Sequence, residues 1–145
     1  MRLKESHKLK RKDIENNKRI AFLLHQLFVE INDEKTLVIV EGKRDFIALR
    51  NLGYKGKVFE LCGKGKGTKN LISEVSSFDK VVLMLDYDRK GESLLRSLLS
   101  RLSYGGLKVD LNVRKKVKEI ASNINHIEDL NKYSQYLTES GIVEQ

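Results

Sequence analysis

Three carboxylates stand where chemistry is possible in this chain. Glu41 lies in Val-Glu-Gly-Lys-Arg-Asp at 40–45, and Asp86 and Asp88 lie in Asp-Tyr-Asp-Arg-Lys-Gly-Glu at 86–92. Each stretch ends an apolar, strand-like run and opens a helix-like one. That puts the acids at strand ends, where open α/β sheets collect ligands. Asp86 and Asp88 are two residues apart, so on an extended segment they point the same way, about 7 Å from each other. With Glu41 arriving from a neighbouring strand, three negative charges share one site and raise each other's proton affinity unless something compensates. A hard divalent cation is the usual compensation, and Mg²⁺ needs only one or two carboxylates beside substrate phosphate oxygens. Lys43, Arg44, Arg89 and Lys90 flank the acids and are expected to offset their charge or to contact phosphates. The competing, purely structural reading is that Asp86 or Asp88 caps the helix that follows.

The elements that must position these residues follow from periodicity. Ile20, Leu23, Leu24, Leu27, Phe28 and Ile31 form one stripe of an amphipathic helix predicted over 13–32. Leu37-Val38-Ile39-Val40 and Val81-Val82-Leu83-Met84-Leu85 are apolar without alternation, as in strands covered on both faces. Strands are also predicted at 57–61 and 107–111, and helices at 45–52, 70–76 and 89–103. This alternation predicts an α/β fold, a four-stranded parallel sheet flanked by helices. Two more amphipathic helices are expected to complete it, one carrying Val113, Val117, Ile120, Ala121 and Ile124, the other Ile127, Leu130, Tyr133 and Leu137. The organisation expected is a basic arm and helix at 1–34, a catalytic-type core at 35–111, and a helical extension at 112–145 on the same domain.

Charge points to a polyanionic partner. The net charge is +8, and residues 1–19 hold eight Lys/Arg against three acids. Such an arm favours nucleic acid through counterion release. A single cysteine, Cys62, excludes an internal disulfide framework and a cysteine-based zinc site. No apolar stretch approaches the roughly 18 residues of a membrane span, so a cytoplasmic protein without a membrane partner is expected. Gly63 to Lys69 is not a Walker A loop, but Lys64, Lys66 and Lys69 are expected backbone contacts near the acids. His7, His25 and His126 sit beside no acidic motif and are read as ordinary surface or helix residues, and Cys62 as a small buried one.

Glu41-Gly42 after the first strand, with Asp86-X-Asp88-Arg89-X-Gly91-Glu92 after the third, resembles the Toprim domain over about residues 35–111. That module is shared by topoisomerases, bacterial-type primases, recombination proteins and several nucleases. The layout is most similar to the small stand-alone Toprim proteins of archaea. The resemblance implies a Rossmann-like fold, Glu41 as metal ligand and general acid/base, and Asp86 and Asp88 as ligands of one or two Mg²⁺ ions, with Mn²⁺ an alternative. Tyr87 stands where topoisomerases tend to have proline; it is expected to pack, because its direction opposes that of its neighbours.

Magnesium-dependent action on RNA or DNA follows as the expected function, with phosphodiester cleavage the leading reaction. The alternative is a non-catalytic RNA- or DNA-binding module working with partner proteins or by self-association. Nothing in the sequence resembles a topoisomerase gate, a tyrosine-bearing domain or a primase zinc region. A haloacid-dehalogenase-type phosphohydrolase ranks last, since its aspartate pair follows the first strand.

Overall fold

The β-branched and leucine-rich runs pair side by side into one parallel sheet. The computed structural model describes residues 2–62, 68–103 and 106–142, with side chains from residue 10 and, in the third helix, from residue 70. In chain order the elements are α1 (Arg2–Glu30), β1 (Thr36–Val40), α2 (Lys43–Asn51), β2 (Lys57–Glu60), α3 (Thr68–Val75), β3 (Lys80–Leu83), α4 (Arg89–Leu102), β4 (Lys108–Asp110) and α5 (Asn112–Ile120). A 3₁₀ segment, Ile127–Tyr133, and α6 (Ser134–Glu139) follow. The strand order is β2-β1-β3-β4, and every neighbouring pair is parallel.

This order has a functional consequence. From β1 the chain steps outward to β2, crosses back to β3 on the other side of β1, and continues outward to β4. The direction of travel therefore reverses between β1 and β3. The crevice beyond the carboxyl ends of two such strands is where doubly wound sheets hold ligands. Ile39 lies opposite Leu83 in the register, so Glu41 and Asp86 leave the sheet beside one another.

Alternation along the strands divides the core in two. Val38, Val40, Val82 and Met84 face a cluster built with α1, α2, α5 and the C-terminal segments. Leu37, Ile39, Val81, Leu83 and Leu85 face the other cluster, with Phe59, α3 and α4. All five residues of β1 are buried, as expected of a central strand with helices on both sides.

The differences from the predicted elements have local causes. Helix α1 extends back to Arg2, because the charged segment before residue 13 holds no residue that stops a helix. The stripe on α1 buries Leu24, Leu27 and Phe28, and Ala21 joins it. Helix α5 ends at Ile120, short of Ile124, and the helix expected over 127–137 is split into a 3₁₀ turn and α6. Ile124 and Ile127 are nevertheless fully buried, so the apolar positions match those expected while the helix is shorter. No helix among the described residues is long and apolar enough to cross a membrane.

Because α1 is docked through a few large side chains, its truncation variants should separate sharply. Phe28, fully buried, should cost about 3–5 kcal/mol as Phe28→Ala, whereas Phe22→Ala, at an exposed position, should change stability by less than about 0.5 kcal/mol. Urea unfolding of the two variants measures this, and equal effects would mean that α1 is not part of the core.

Candidate metal centre

The site is built from two strand ends and one later loop. Glu41 directly follows β1 and is only 8% exposed. Its Oε2 accepts the backbone N–H of Asp86 at 2.9 Å, which ties the end of β1 to the end of β3. Asp86 Oδ1 accepts the N–H of Ile127 at 2.7 Å. Asp88 Oδ1 accepts the N–H of Gly91 at 2.8 Å as the N-cap of α4, so the capping role foreseen for these acids belongs to Asp88. Its other oxygen stands 3.1 Å from His126 Nε2. One ligand atom each from Asp86, Asp88 and His126 lies within 4.8 Å of the others.

His126 overturns the sequence reading that left it beside no acidic motif. It is 38 residues from Asp88 in the chain, and only the fold brings the two together. The loop that carries it is pinned on both sides: Tyr87 N–H donates to Asn125 O at 2.7 Å, and Ile124 and Ile127 are buried. Cys62 is likewise corrected, being exposed; it lines the cavity at the acids. His25 fits its expected helix role, with Nδ1 3.0 Å from Leu52 O.

Arg114 is a buried residue behind the acids that the sequence does not single out. Only 8% exposed, it donates through Nε to Leu85 O at 2.8 Å and through a terminal nitrogen to Asp86 O and, at 2.7 Å, to Glu92 Oε1. One guanidinium thus clamps the last carbonyls of the β3 run to α4, a use for which its rigid fork is suited. It also lies over the Tyr87 ring, 4.4 Å from its centre. Tyr87 packs inward as expected, and its hydroxyl donates to Arg114 O at 2.6 Å. In sequence Arg114 only heads the basic run Arg114-Lys115-Lys116 beside Val113, so no local signal sets it apart.

Crowded acids shift as electrostatics requires. Burial raises Glu41 above the ordinary glutamate range, the Asp86 amide partly offsets this, and the Asp86 carboxylate reinforces it. Asp45, whose Oδ2 accepts the Gly42 N–H at 3.1 Å, is pushed up to about 6, chiefly by burial. The Gly91 amide and then His126 hold Asp88 below its usual value. Desolvation, the largest single influence, pulls His126 down, but Asp86, Asp88 and Asp129 together outweigh it and raise the imidazole above its ordinary value.

Lys43, Arg44 and Lys90 line a cavity of about 360 Å³ together with Glu41, Asp86 and Cys62. Arg44 also pairs with Glu128 at 3.7 Å, and Arg89 is exposed at the start of α4. Lys64 and Lys66 lie outside the described residues, as does the side chain of Lys69. The donor set, carboxylate oxygens with one imidazole nitrogen, suits a hard or borderline divalent cation. Flanking cations around it suit a phosphate-bearing ligand.

A family model, the Toprim domain, matches residues 36–123, and the chain belongs to that family. Toprim domains bind divalent metal ions, and membership places the protein in a metal-dependent role connected with nucleic acid. Among individual relatives, a UPF0292 protein of Thermococcus onnurineus is 40% identical over 85% of this chain and 87% of its own length. A UPF0292 protein of Pyrococcus horikoshii is 38% identical over 86% and 89%. A solved structure of a protein from Aquifex aeolicus superposes with a TM-score of 0.57 at 32% identity, over 66% of this chain and 84% of that one.

Two outcomes follow from the geometry. A Cβ at Gly91 would lie 2.0 Å from Asp86 O, a backbone atom held by Arg114 that has nowhere to move. Gly91→Ala should therefore cost at least about 1–3 kcal/mol and weaken divalent-cation binding, read by urea unfolding and calorimetry; wild-type values in both would contradict the close approach. Asp45 binds its proton more tightly folded, at about 6, than unfolded, near 3.8. Folded protein then holds more protons between these values, so its contribution to stability falls as pH rises from about 4 to about 6. Asp45→Asn keeps an acceptor for Gly42 and should gain stability on the order of 2 kcal/mol at pH 7 over wild type, a gain that vanishes near pH 4. Unfolding curves of the chelator-treated proteins across that range test it.

Proposed function

We propose that this protein is a metal-dependent nuclease that hydrolyses phosphodiesters of RNA or DNA. The observation that supports this most is the juxtaposition of Glu41 and Asp86 at neighbouring strand ends with Lys43, Arg44 and Lys90 in one cavity. In this reading Glu41, Asp86 and Asp88 hold one or two Mg²⁺ ions. When bound, the metal would neutralise charge developing on the phosphate oxygens.

The protein's own residues do the rest. Lys43, Arg44, Arg89 and Lys90 draw the backbone to the site and hold phosphates as charge-assisted donors. In this reading Lys64, Lys66 and Lys69 add further cations for the nucleic-acid backbone. A water attacks phosphorus, the P–O bond to the leaving oxygen breaks, and Glu41 moves the proton between them. A carboxyl raised above its ordinary range is better matched to that exchange near neutral pH. Arg114 keeps the Asp86 backbone in place while this happens.

A second reading, a binding module that turns nothing over and works with partner proteins, is favoured by one feature. Oxygens of Glu41, Asp86 and Asp88 already accept backbone amides, so the acids are stabilised without a reaction to perform.

Cleavage of a panel of RNA and DNA substrates in Mg²⁺ separates the two. Glu41→Gln and Asp88→Asn should each lower the rate at least about 10²-fold, with folding intact because glutamine keeps an acceptor for the Asp86 N–H and asparagine also caps helices. Robust cleavage by both purified variants would sink the nuclease reading. Salt-dependent binding with no turnover of any substrate by wild type would select the binding module.

A further inference from the structure

The three acids that the function rests on are not alone at the site. His126 presents Nε2 to Asp88 Oδ2 at 3.1 Å, and its other ring nitrogen, Nδ1, stands 3.6 Å from Asp129 Oδ2. Asp129 is beyond hydrogen-bond distance but close enough to attract the ring, and the nitrogen that faces Asp88 is the one a cation at the acids would meet.

The placement of the ligand atoms makes the same point. One ligand atom each from Asp86, Asp88 and His126 lies within 4.8 Å of the others, so a divalent cation in the crevice would meet two carboxylates and the ring nitrogen together. Adjacent donors on one cation with bonds of about 2.1 Å stand about 3 Å apart, which matches the observed separation. The mounting is rigid, because buried Ile124 and Ile127 bracket the residue and Ile127 N–H is bonded to Asp86.

We propose that His126 is a metal ligand in this chain and that it biases the centre toward Mn²⁺ over Mg²⁺. The inference rests on the reading of Asp86 and Asp88 as ligands. Imidazole nitrogen is a poor partner for Mg²⁺ and a good one for transition-metal ions, so one nitrogen among oxygens favours manganese while still admitting magnesium. Asp129 is a positioning residue that acts through the ring.

Calorimetric titration of the full chain with Mn²⁺ alone and with Mg²⁺ alone, joined to pulsed EPR of the Mn²⁺-loaded protein, tests this. Wild type should bind Mn²⁺ at least about tenfold more tightly and show nitrogen coupling to the manganese. His126→Ala, at a side chain 46% exposed, should fold normally, lose the nitrogen signal and weaken Mn²⁺ about tenfold or more, with Mg²⁺ changed less than about threefold. Asp129→Asn should keep the nitrogen signal and weaken Mn²⁺ by a smaller factor. A wild-type spectrum without nitrogen coupling, or Mn²⁺ affinity unchanged in His126→Ala, overturns the proposal. If Asp86→Asn abolishes both metals while His126→Ala alters neither, the cation centre stands and the role of His126 falls. If Asp86→Asn binds both metals as wild type does, the underlying ligand reading falls with it.

Discussion

Concentrated negative charge at the end of two adjacent strands governs this structure. A parallel sheet that places β1 against β3 forces Glu41 and Asp86 into one crevice, with Asp88 a turn away. Carboxylates so close are stable only when each is given donors. The surroundings supply them in order: the Asp86 amide to Glu41, the Ile127 amide to Asp86, and the Gly91 amide and His126 to Asp88. Arg114 adds a buried positive charge directly behind, paired with Glu92 and bonded to the two carbonyls that lead into the acidic stretch. Without those donors the carboxyls would hold protons to higher pH.

Much of this was legible in the residues because it is written in local pattern. Unbroken apolar runs marked β1 and β3 as strands buried on both sides, and their successors Glu41 and Asp86 as edge residues, which follows from chain direction alone. The capping function of Asp88 was legible for the same reason, since an aspartate three residues before a glycine amide at a helix start is a local signal. What local pattern could not carry was anything decided by how the last third of the chain returns. His126 is an unremarked polar residue in sequence, and its partners are set by where α5 ends. That end, at Ile120 rather than Ile124, comes just before Ser122 and Asn123, which favour turns over helix interiors. Arg114 was hidden in a different way. In a basic amphipathic helix an arginine reads as solvated, and only the tertiary contact shows it turned inward.

The two faces of the sheet divide the labour. One cluster, with α3 and α4, supports β3 and the helix that Asp88 caps. The other, with α1, α2, α5 and the C-terminal segments, holds the histidine-bearing loop against the acids. Helix α2 belongs to this second face and begins at Lys43, with only Gly42 between it and Glu41, so the backbone of its first residues, Lys43 and Arg44, is fixed at the rim of the cavity. Placement of cations on the first turn of a docked helix gives a phosphate ligand a defined approach.

The loop at 125–127 bonds to Tyr87 and Asp86 across some forty residues of chain, and this has a bearing on biosynthesis. A polypeptide is made from its N-terminus, and a domain folds as a unit. A chain that had emerged only as far as β4 would carry two edges of the acidic crevice and lack the third. Asp86 then has no Ile127 amide and Asp88 no imidazole. The centre is therefore completed only when the segment beyond α5 has docked, so its final form reports that nearly the whole chain is in place.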